Sequence, residues 1–403
     1  MRHFDYTFRV AENFWRGDVG FAEPPPSWLN EFVPFEDYYY SVFPLGSVLT
    51  MLPFAGFKFV GLISEMPASL IAALTAGSNG LFLFLISASY EYAWRKRILL
   101  VTGILFGTWM WTNLVMAGAW HLALGFAMLG ELGAIYFTIY NRRPLLAGLF
   151  FALAFGNRTE ILLTAPIFML LLCKFQVSDF KSQISTESNH IKIGDDTKAD
   201  DNVRDAKPGI SDLRLETYKK LAAFCAAPFV LGVATLVYNY VRFQSFTDFG
   251  YARIPGVLDE PWYRHGIFSI YYIPLNFKEM LLTFWKRVAG FPYIVPTGFG
   301  GSIWWSSPFI LFTFWFGARN KILKYAAWAA VIILTVLLWT HGNPGGWQFA
   351  YRYAMVLLPW LFVILLENSP EETTWMEMFA YFWSFALNAF ATYLFFWTDY
   401  VKP

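Results

Sequence analysis

Apolar segments of about 20 residues, the length that crosses a membrane as one helix, recur from Val42 to the end of this chain. Only 15% of the 403 residues are charged, whereas soluble domains carry about 25%. We therefore expect an all-α polytopic membrane bundle of about ten helices. The predicted spans are Phe43–Ile63, Ala68–Tyr90, Ile98–Met116, Leu122–Tyr140, Tyr218–Tyr240, Ile303–Phe316, Leu323–Trp339, Ala354–Glu367 and Met376–Trp397.

The segment Pro144–Cys173 differs from these spans. It is too long for one crossing, and the polar run Gly156–Glu160 interrupts it. Polar backbone at membrane depth is tolerated only where it faces protein or a wet cavity. We therefore predict a broken helical hairpin over residues 144–173, two short helices meeting at a polar elbow, as the end of a membrane bundle that covers residues 43–173.

Basic clusters orient the predicted helices, because Lys and Arg accumulate on the cytoplasmic side. The clusters are Arg95–Arg97, Arg142–Arg143, Lys174, Arg319, Lys321 and Lys324. Residues 174–217, polar and without hydrophobic period, then form a disordered cytoplasmic linker. A membrane helix over 218–240 leads to an extracytoplasmic loop over 241–302, whose stretch Asn276–Gly290 is amphipathic enough to lie in the interface. Membrane helices over 303–403 complete the chain.

Residues 1–42 mix acids, arginines and large aromatic side chains ahead of the apolar part. Phe8, Ala11 and Phe14 recur at helical spacing, which predicts an amphipathic surface helix. Two topologies stay open for this segment. It lies inside if Phe43–Ile63 spans the membrane, and outside if a helix precedes it or if Phe43–Ile63 is a surface or re-entrant helix. The net charge of +1 argues against a nucleic-acid partner.

Several motifs follow one another along most of the chain. They are YYYSVFPLGSVLTMLPF (Tyr38–Phe54), PLLAGLFFALAFGNRTEILLTAPIFMLLL (Pro144–Leu172), YNYVRFQSFTDFGY (Tyr238–Tyr251), GFGGSIWWSSPFILF (Gly298–Phe312) and GGWQFAYRYAMVLLPWL (Gly345–Leu361). In order and spacing these motifs resemble those of the bacterial C-type (GT-C) membrane glycosyltransferases. In the third motif Gln244 stands where that family has glycine.

This resemblance implies an enzyme that moves a sugar from a polyprenyl-phosphate carrier to a lipid, glycan or protein acceptor. It implies a multi-pass protein of the bacterial inner membrane with its active site on the extracytoplasmic face. An acidic residue after the family's first helix is the catalytic base, and Asp5 occupies the matching place. Relatives have a spanning helix before this point, and we expect none ahead of Asp5 in this sequence. Either the start is truncated or misassigned, or the helix is absent, which leaves a truncated, inactive homologue as an alternative.

An inverting transfer needs one carboxylate that takes the proton of the acceptor hydroxyl. Asp5 is the first candidate, and its alternative role is an ion pair with Arg2 or Arg9. Glu36 and Asp37 are rivals for the base, and their alternative roles are an acceptor contact or a charge at a helix start.

The lipid phosphate needs cations, and arginine suits it because the guanidinium fork can bond two oxygens. Arg158 either holds this phosphate or forms an ion pair with Glu160 or Glu131, since an arginine in an apolar hairpin needs a partner. Arg352 either binds the donor phosphate or anchors the chain at the interface, and Arg264 adds charge at the lipid entrance.

Further substrate contacts are predicted for Tyr39, which otherwise anchors the membrane boundary, and for His121, which otherwise has a structural role. No cofactor is required, and a divalent metal stays open, for instance one shared by His3 and Asp5, although no spacing supports zinc. A transporter or flippase of a lipid-linked saccharide is the alternative function. It shares the phosphate-binding cations and needs no base, but the sequence shows no related halves.

Overall fold

The structure is a computed structural model that describes residues 4–174 and 210–401. It is mostly helical, and its strands form two-stranded pairs only. Five helices in the described residues are long and apolar enough to cross a membrane. These are Ala68–Ser87, Ala119–Tyr140, Arg214–Phe243, Lys321–Thr340 and Trp375–Trp397. An all-α membrane protein is therefore supported, but about ten full spans are not.

The helices and strands are numbered in chain order, and the first strand pairs with the second, the third with the fourth and the fifth with the sixth. The first half contains α1 (Tyr6–Arg16), β1 (Phe32–Phe35), β2 (Tyr38–Ser41), α2 (Leu45–Phe59), α3 (Ala68–Ser87), α4 (Trp94–Phe106), α5 (Met110–Val115), α6 (Ala119–Ile135, prolonged by a π-helical turn Tyr136–Tyr140), α7 (Pro144–Asn157) and α8 (165–174). The second half contains α9 (Ile210–Phe243), α10 (Ile273–Leu281), β3 (Lys286–Arg287), β4 (Ile294–Val295), β5 (Phe299–Gly300), α11 (Ile303–Ser306), α12 (Lys321–Thr340), β6 (Gln348–Phe349), α13 (Leu358–Asn368) and α14 (Trp375–Trp397).

Several predicted spans are broken or short in the structure. α2 has 15 residues, fewer than a span needs. The prediction for Ile98–Met116 was wrong, because the chain breaks between α4 and α5 at Gly107. The predicted span Ile303–Phe316 is divided at Pro308, which lacks a backbone N–H, into α11 and a 3₁₀ segment. In the predicted span Ala354–Glu367 the chain first forms 3₁₀ turns, and α13 begins only at Leu358.

The broken hairpin is present where the polar elbow was predicted. α7 ends at Asn157, Arg158 has extended backbone angles, and a 3₁₀ segment, Thr159–Thr164, leads into α8. Residues 175–209 of the predicted linker lie outside the described residues. The end of that linker was predicted wrongly, because α9 already begins at Ile210.

The amino-terminal segment forms the predicted amphipathic helix, and α1 packs along α2. The indole of Trp15 donates to the carbonyl of Leu52 at 2.9 Å, and Lys58 of α2 forms an ion pair with Glu12 at 2.8 Å. The backbone N–H of Ala119 donates to Phe4 at 2.8 Å, which ties the start of α1 to the start of α6.

The loop after α9 is ordered into 3₁₀ turns, α10 and short strands. The predicted interfacial helix over Asn276–Gly290 is shorter than expected, because α10 ends at Leu281 and Lys286–Arg287 pair with Ile294–Val295 instead. β5 and β6 pair in parallel and join this loop to the segment after α12.

α6 is the central helix and packs against α3 and α7. We name the two ends of the bundle after residues that lie beside the two ends of α6. The Glu31 end is where α6 begins, beside Glu31 and Arg352. The Glu367 end is where its π-helical turn finishes, beside Tyr140 and Glu367. The helix that joins these two ends, Ala119–Tyr140, has 22 residues and is therefore about 33 Å long.

Candidate functional site

A carboxyl group, an indole and a guanidinium meet at the Glu31 end. Glu31 directly precedes β1, and its backbone carbonyl accepts from Val42, so the β1–β2 hairpin fixes its position. The indole N–H of Trp120, in the first turn of α6, donates to both carboxyl oxygens at 2.9 and 2.8 Å. Tyr6 packs its ring on Trp120 with centroids 5.3 Å apart. The hairpin therefore fixes the backbone of Glu31, and Trp120, supported by Tyr6, holds its carboxyl.

The pKa of Glu31 is raised from 4.5 to about 7, because burial disfavours its charged form more than Trp120 and Arg352 favour it. The folded protein thus holds this proton more tightly than the unfolded chain does. The linked stability is present at low pH and decreases as the pH rises from about 4.5 to about 7. A carboxyl with this pKa exchanges a proton near neutral pH, which is the property of a general base.

Arg352 opens the 3₁₀ turns before α13 and is 6% exposed. Its guanidinium donates to the carbonyl of Trp347 at 3.3 Å and to the hydroxyl of Tyr353 at 3.5 Å, and its Nε has no partner. In residues 4–174 and 210–401, no carboxylate lies within ion-pair distance of it. The site therefore contains a buried cation without a bonded counter-ion.

Tyr353 brings a second cation into the same site. The guanidinium of Arg352 lies 5.2 Å from the Tyr353 ring centroid, and that of Arg158 lies 5.0 Å from it. Arg158 differs from Arg352 because it is paired with Glu160, at 2.7 Å. Of the two roles predicted for Arg158, the ion pair with Glu160 is therefore formed. We call Glu31, Trp120, Arg158, Arg352 and Tyr353 the Glu31 site.

Aromatic residues of the long loop lie near the Glu31 site, to which His341 connects them through its ring contact with Tyr353 at 5.9 Å. The hydroxyls of Tyr251 and Tyr263 share a hydrogen bond of 2.7 Å, and burial, with a contribution from the charge of Glu31, raises the pKa of both. Both rings pack on His341, whose Nδ1 is 2.7 Å from the carbonyl of Asn343. A carbonyl only accepts, so Nδ1 carries the proton. Burial lowers the pKa of His341, and nearby Arg158 and Arg352 act in the same direction.

His121, the residue after Trp120, is buried at 4% exposure beside Arg352. Neither of its ring nitrogens has a hydrogen-bond partner within the described residues. Buried polar atoms are normally paired, so these nitrogens leave hydrogen-bonding capacity next to the unpaired guanidinium. The sequence placed His121 among the substrate contacts, and the structure brings it to the Glu31 site.

Asp5 lies near this site but is engaged elsewhere. It immediately precedes α1, and its carboxylate accepts from the Arg9 guanidinium at 2.8 Å. This is one of the two roles predicted from the sequence. Its use as a base stays a prediction, and it would require the Arg9 pair to open.

The other predicted contacts lie away from the Glu31 site. Glu36 and Asp37 form the exposed turn of the hairpin, where Glu36 accepts from Gln244 at 2.7 Å. Tyr39 pairs through its backbone with Phe21. Arg264 is exposed on the long loop. These four residues are not brought together with Arg352 by any hydrogen bond, ion pair or ring contact in the part of the chain that the structure describes.

Glu31 is the residue that sequence reasoning missed. Its significance arises from Trp120 and Arg352, which are far from it along the chain. The available signal was weak: an acid directly before the apolar strand Phe32–Phe35, in a segment already predicted to be functional.

No group of three His, Cys, Asp or Glu side chains suited to a metal ion occurs in residues 4–174 and 210–401, and His3 lies outside them. Comparison with protein-family models, curated proteins and solved structures finds no match for this chain. The resemblance to C-type glycosyltransferases therefore stays a prediction that depends on the motifs alone.

Proposed function

We propose that this chain is a C-type membrane glycosyltransferase that moves a sugar from a polyprenyl-phosphate carrier to an acceptor hydroxyl. In this proposal the shorter apolar helices complete a bundle of about ten helices, and the Glu31 end is the extracytoplasmic face of a bacterial cell membrane. The observation that carries the proposal is the buried guanidinium of Arg352, which has no bonded counter-ion in residues 4–174 and 210–401 and lies near a carboxyl whose pKa is raised to about 7.

The guanidinium of Arg352 is the group that supports a ligand at this site. Burying a charge without a partner costs several kcal/mol, so such a group is usually completed by an anion or performs a function. A phosphate monoester or diester fits because its oxygens match the planar fork of arginine. Arg158 stands across the same tyrosine ring and can add a second positive charge, although Glu160 neutralises most of it.

The chemistry assigned to the residues is a single inverting displacement. The acceptor oxygen forms a bond to the anomeric carbon, and the bond from that carbon to the phosphate oxygen breaks, with its electron pair leaving on the phosphate. Glu31, ionised above about pH 7, takes the hydroxyl proton. Arg352 stabilises the charge that develops on the leaving phosphate. Tyr251 and Tyr263 lie near the site and limit the access of water.

The test compares three variants in a transfer assay with a labelled polyprenyl-phosphate sugar in reconstituted membranes. We expect Glu31→Gln to lower transfer by about 100-fold or more, since the amide cannot take a proton. Glu36→Gln, on the exposed turn, is the matched control and should transfer like the wild type. Asp5→Asn opens the Arg9 pair and should reduce transfer less than Glu31→Gln.

The same assay separates the alternatives. Full activity of Glu31→Gln together with loss in Asp5→Asn would return the role of base to Asp5. Absence of transfer by the wild type, with movement of the labelled lipid across the bilayer, would contradict the transferase and support a flippase. Absence of both activities would support an inactive homologue.

A further inference from the structure

A wide, open surface depression of about 460 Å³, called the cavity below, lies at the Glu367 end, away from the Glu31 site. It lies between the start of α7 and the first turns of α9. Its charged lining consists of Arg143, Lys219 and Lys220. Its apolar lining includes Leu145, Leu146 and Ala223. A cationic group of side chains therefore stands directly beside an apolar wall.

The positive charge of this cavity is largely uncompensated. Lys219 forms an exposed ion pair with Glu216 at 2.9 Å. For Arg143 and Lys220, no carboxylate within 4.0 Å is found in residues 4–174 and 210–401. Within the described part of the chain three cations thus face one acid, and Arg143 and Lys220 have no carboxylate partner there.

The start of α7 adds to the attraction. Pro144 occupies its first turn, which contains no acidic residue. The N–H groups of a first helical turn have no partner within the helix and carry partial positive charge. This helix end alone would not define a site, but here it opens beside the two unpaired cations of the cavity.

The apolar wall indicates what kind of anion fits. Leu145 and Leu149 of α7 are 54% and 49% exposed, and Phe229 of α9 is 71% exposed, so both helices present hydrocarbon beyond the cavity. In a membrane-spanning chain these side chains face lipid tails. A ligand that bonds the cations and continues along this surface has a phosphate at one end and acyl chains at the other.

We infer that the cavity lined by Arg143, Lys219 and Lys220 binds the headgroup of an anionic phospholipid. The headgroup phosphate pairs with Arg143 and Lys220, and the acyl chains lie along the exposed leucines of α7. Free phosphate shares the headgroup chemistry but leaves the apolar wall uncovered. The site is independent of the proposed transferase activity, since it uses none of the same residues.

The test measures thermal unfolding of the full-length protein in detergent during titration with short-chain phosphatidylglycerol, phosphatidylcholine or inorganic phosphate. We expect phosphatidylglycerol to raise the unfolding temperature in a saturable way, because a ligand that binds only the folded state stabilises it. Phosphatidylcholine and inorganic phosphate should raise it little. Equal stabilisation by inorganic phosphate, or by phosphatidylcholine, would overturn the inference.

Three variants locate the effect. Arg143→Gln/Lys220→Gln should weaken phosphatidylglycerol binding about tenfold or more, since each cation contributes about fivefold to anionic-lipid attraction. Ala223→Phe keeps every charge but fills the cavity, and it should weaken binding as well. Arg95→Gln removes an exposed cation at the same end of the bundle, outside the cavity, and should bind like the wild type.

These variants change exposed or half-buried residues, and the unfolding temperature without lipid reports whether each still folds. If Ala223→Phe binds as tightly as the wild type while every charge variant, Arg95→Gln included, loses affinity, the attraction is diffuse and the cavity is not the site. Native mass spectrometry of the same samples should detect one bound phosphatidylglycerol in the wild type, and its absence would contradict the inference.

Discussion

The two ends of the bundle both bury ionisable groups, but they treat them differently. At the Glu367 end, Glu367 accepts from Tyr90 at 2.7 Å with one oxygen and from the backbone of Asn320 at 2.5 Å with the other. Lys96 pairs with Glu377 at 3.2 Å and also donates to the carbonyls of Pro370 and Glu372. Each of these charges has several partners.

Polar side chains at the Glu31 end have unused hydrogen-bonding capacity. The guanidinium of Arg352 has no carboxylate partner, its Nε is unpaired, and both nitrogens of His121 lack a hydrogen bond among the described residues. Buried polar groups are satisfied in a structural network, because an unmade hydrogen bond costs about 1–3 kcal/mol. The difference teaches that the buried charges around Glu367 and Lys96 form a satisfied structural network, whereas the Glu31 end keeps the unused hydrogen-bonding capacity on which the proposed function rests.

The largest expected effect concerns Arg352. We expect Arg352→Gln to lower transfer of the labelled sugar about 100-fold, because it removes the group that, in the proposed mechanism, stabilises charge on the leaving phosphate. Thermal stability should stay unchanged or rise, since a buried cation without a counter-ion opposes folding. Arg264→Gln, an exposed arginine of the long loop, is the control and should leave transfer unchanged.

A large loss of stability in Arg352→Gln would contradict the difference between the two ends. It would mean that Arg352 is a structural group, like Lys96 and Glu377 at the Glu367 end. Unchanged transfer would remove Arg352 from the proposed site. Both readouts are needed, since only their combination distinguishes a binding residue from a packing residue.

Lys96 should show the opposite behaviour. We expect Lys96→Met to lower the free energy of unfolding by about 3–5 kcal/mol, because it leaves the buried carboxylate of Glu377 without its cation. Denaturant unfolding in detergent measures this change, and transfer per folded molecule should be retained. Arg95→Met, the exposed neighbour, is the control, and an equal loss in both variants would contradict the assignment.

Sequence patterns predicted the long helices well and the broken ones poorly. α3, α6, α9, α12 and α14 coincide with uninterrupted apolar segments, and length alone identifies them. The segment around Gly107 contains no charged residue and is largely apolar, so hydropathy gave little sign that α4 and α5 are separate. Backbone geometry, rather than polarity, ends helices at such places, and a hydropathy window does not detect it.

The site was predictable in its cations and in His121, but not in its carboxyl group. Arg158 and Arg352 stood out because an arginine in an apolar segment requires a partner or a function. Glu31 did not stand out, since its raised pKa arises from burial under distant parts of the chain, which outweighs the opposing effects of Trp120 and Arg352. Asp5 was favoured by its place in the sequence, yet its pairing with Arg9 is a local contact that the spacing of four residues allowed.

The two ends depend on a common support, the packing of α6 on α7. A Cβ on Gly130 would lie 2.4 Å from the backbone nitrogen of Ala154 and 2.6 Å from the carbonyl oxygen of Phe150. We expect Gly130→Ala to destabilise the protein by about 1–3 kcal/mol, because backbone cannot yield as a flexible side chain can. The unfolding temperature measures this effect and should fall.

Gly77→Ala is the matched control, because α3 leaves open space around its Cβ position. It should be neutral or slightly stabilising, since alanine favours a helix by about 1 kcal/mol over glycine. If Gly130→Ala is as stable as Gly77→Ala, the close contact between α6 and α7 does not hold the two ends in place.

The smallest expected effect is a change in the pKa of Glu31 when its hydrogen bond to Trp120 is removed. The indole of Trp120 lowers the pKa of Glu31, so Trp120→Phe should raise that pKa further above about 7. In the proposed mechanism transfer needs the ionised carboxylate of Glu31, so we expect transfer to be lost as the pH falls through this pKa. We expect the acidic limb of the pH–rate profile to move upward by about half to one pH unit, the effect of losing one hydrogen bond of about 1 kcal/mol.

Trp360→Phe supplies the control for this shift, because Trp360 makes the equivalent indole hydrogen bond to Glu131 at 3.1 Å, elsewhere in the bundle. It should leave the acidic limb in place even if stability falls. A shift in both variants would mean that the limb reports folding, whereas a shift in Trp120→Phe alone would assign the titration to Glu31. A downward shift in Trp120→Phe would contradict the sign of the argument, since the loss of a donor cannot favour the charged form.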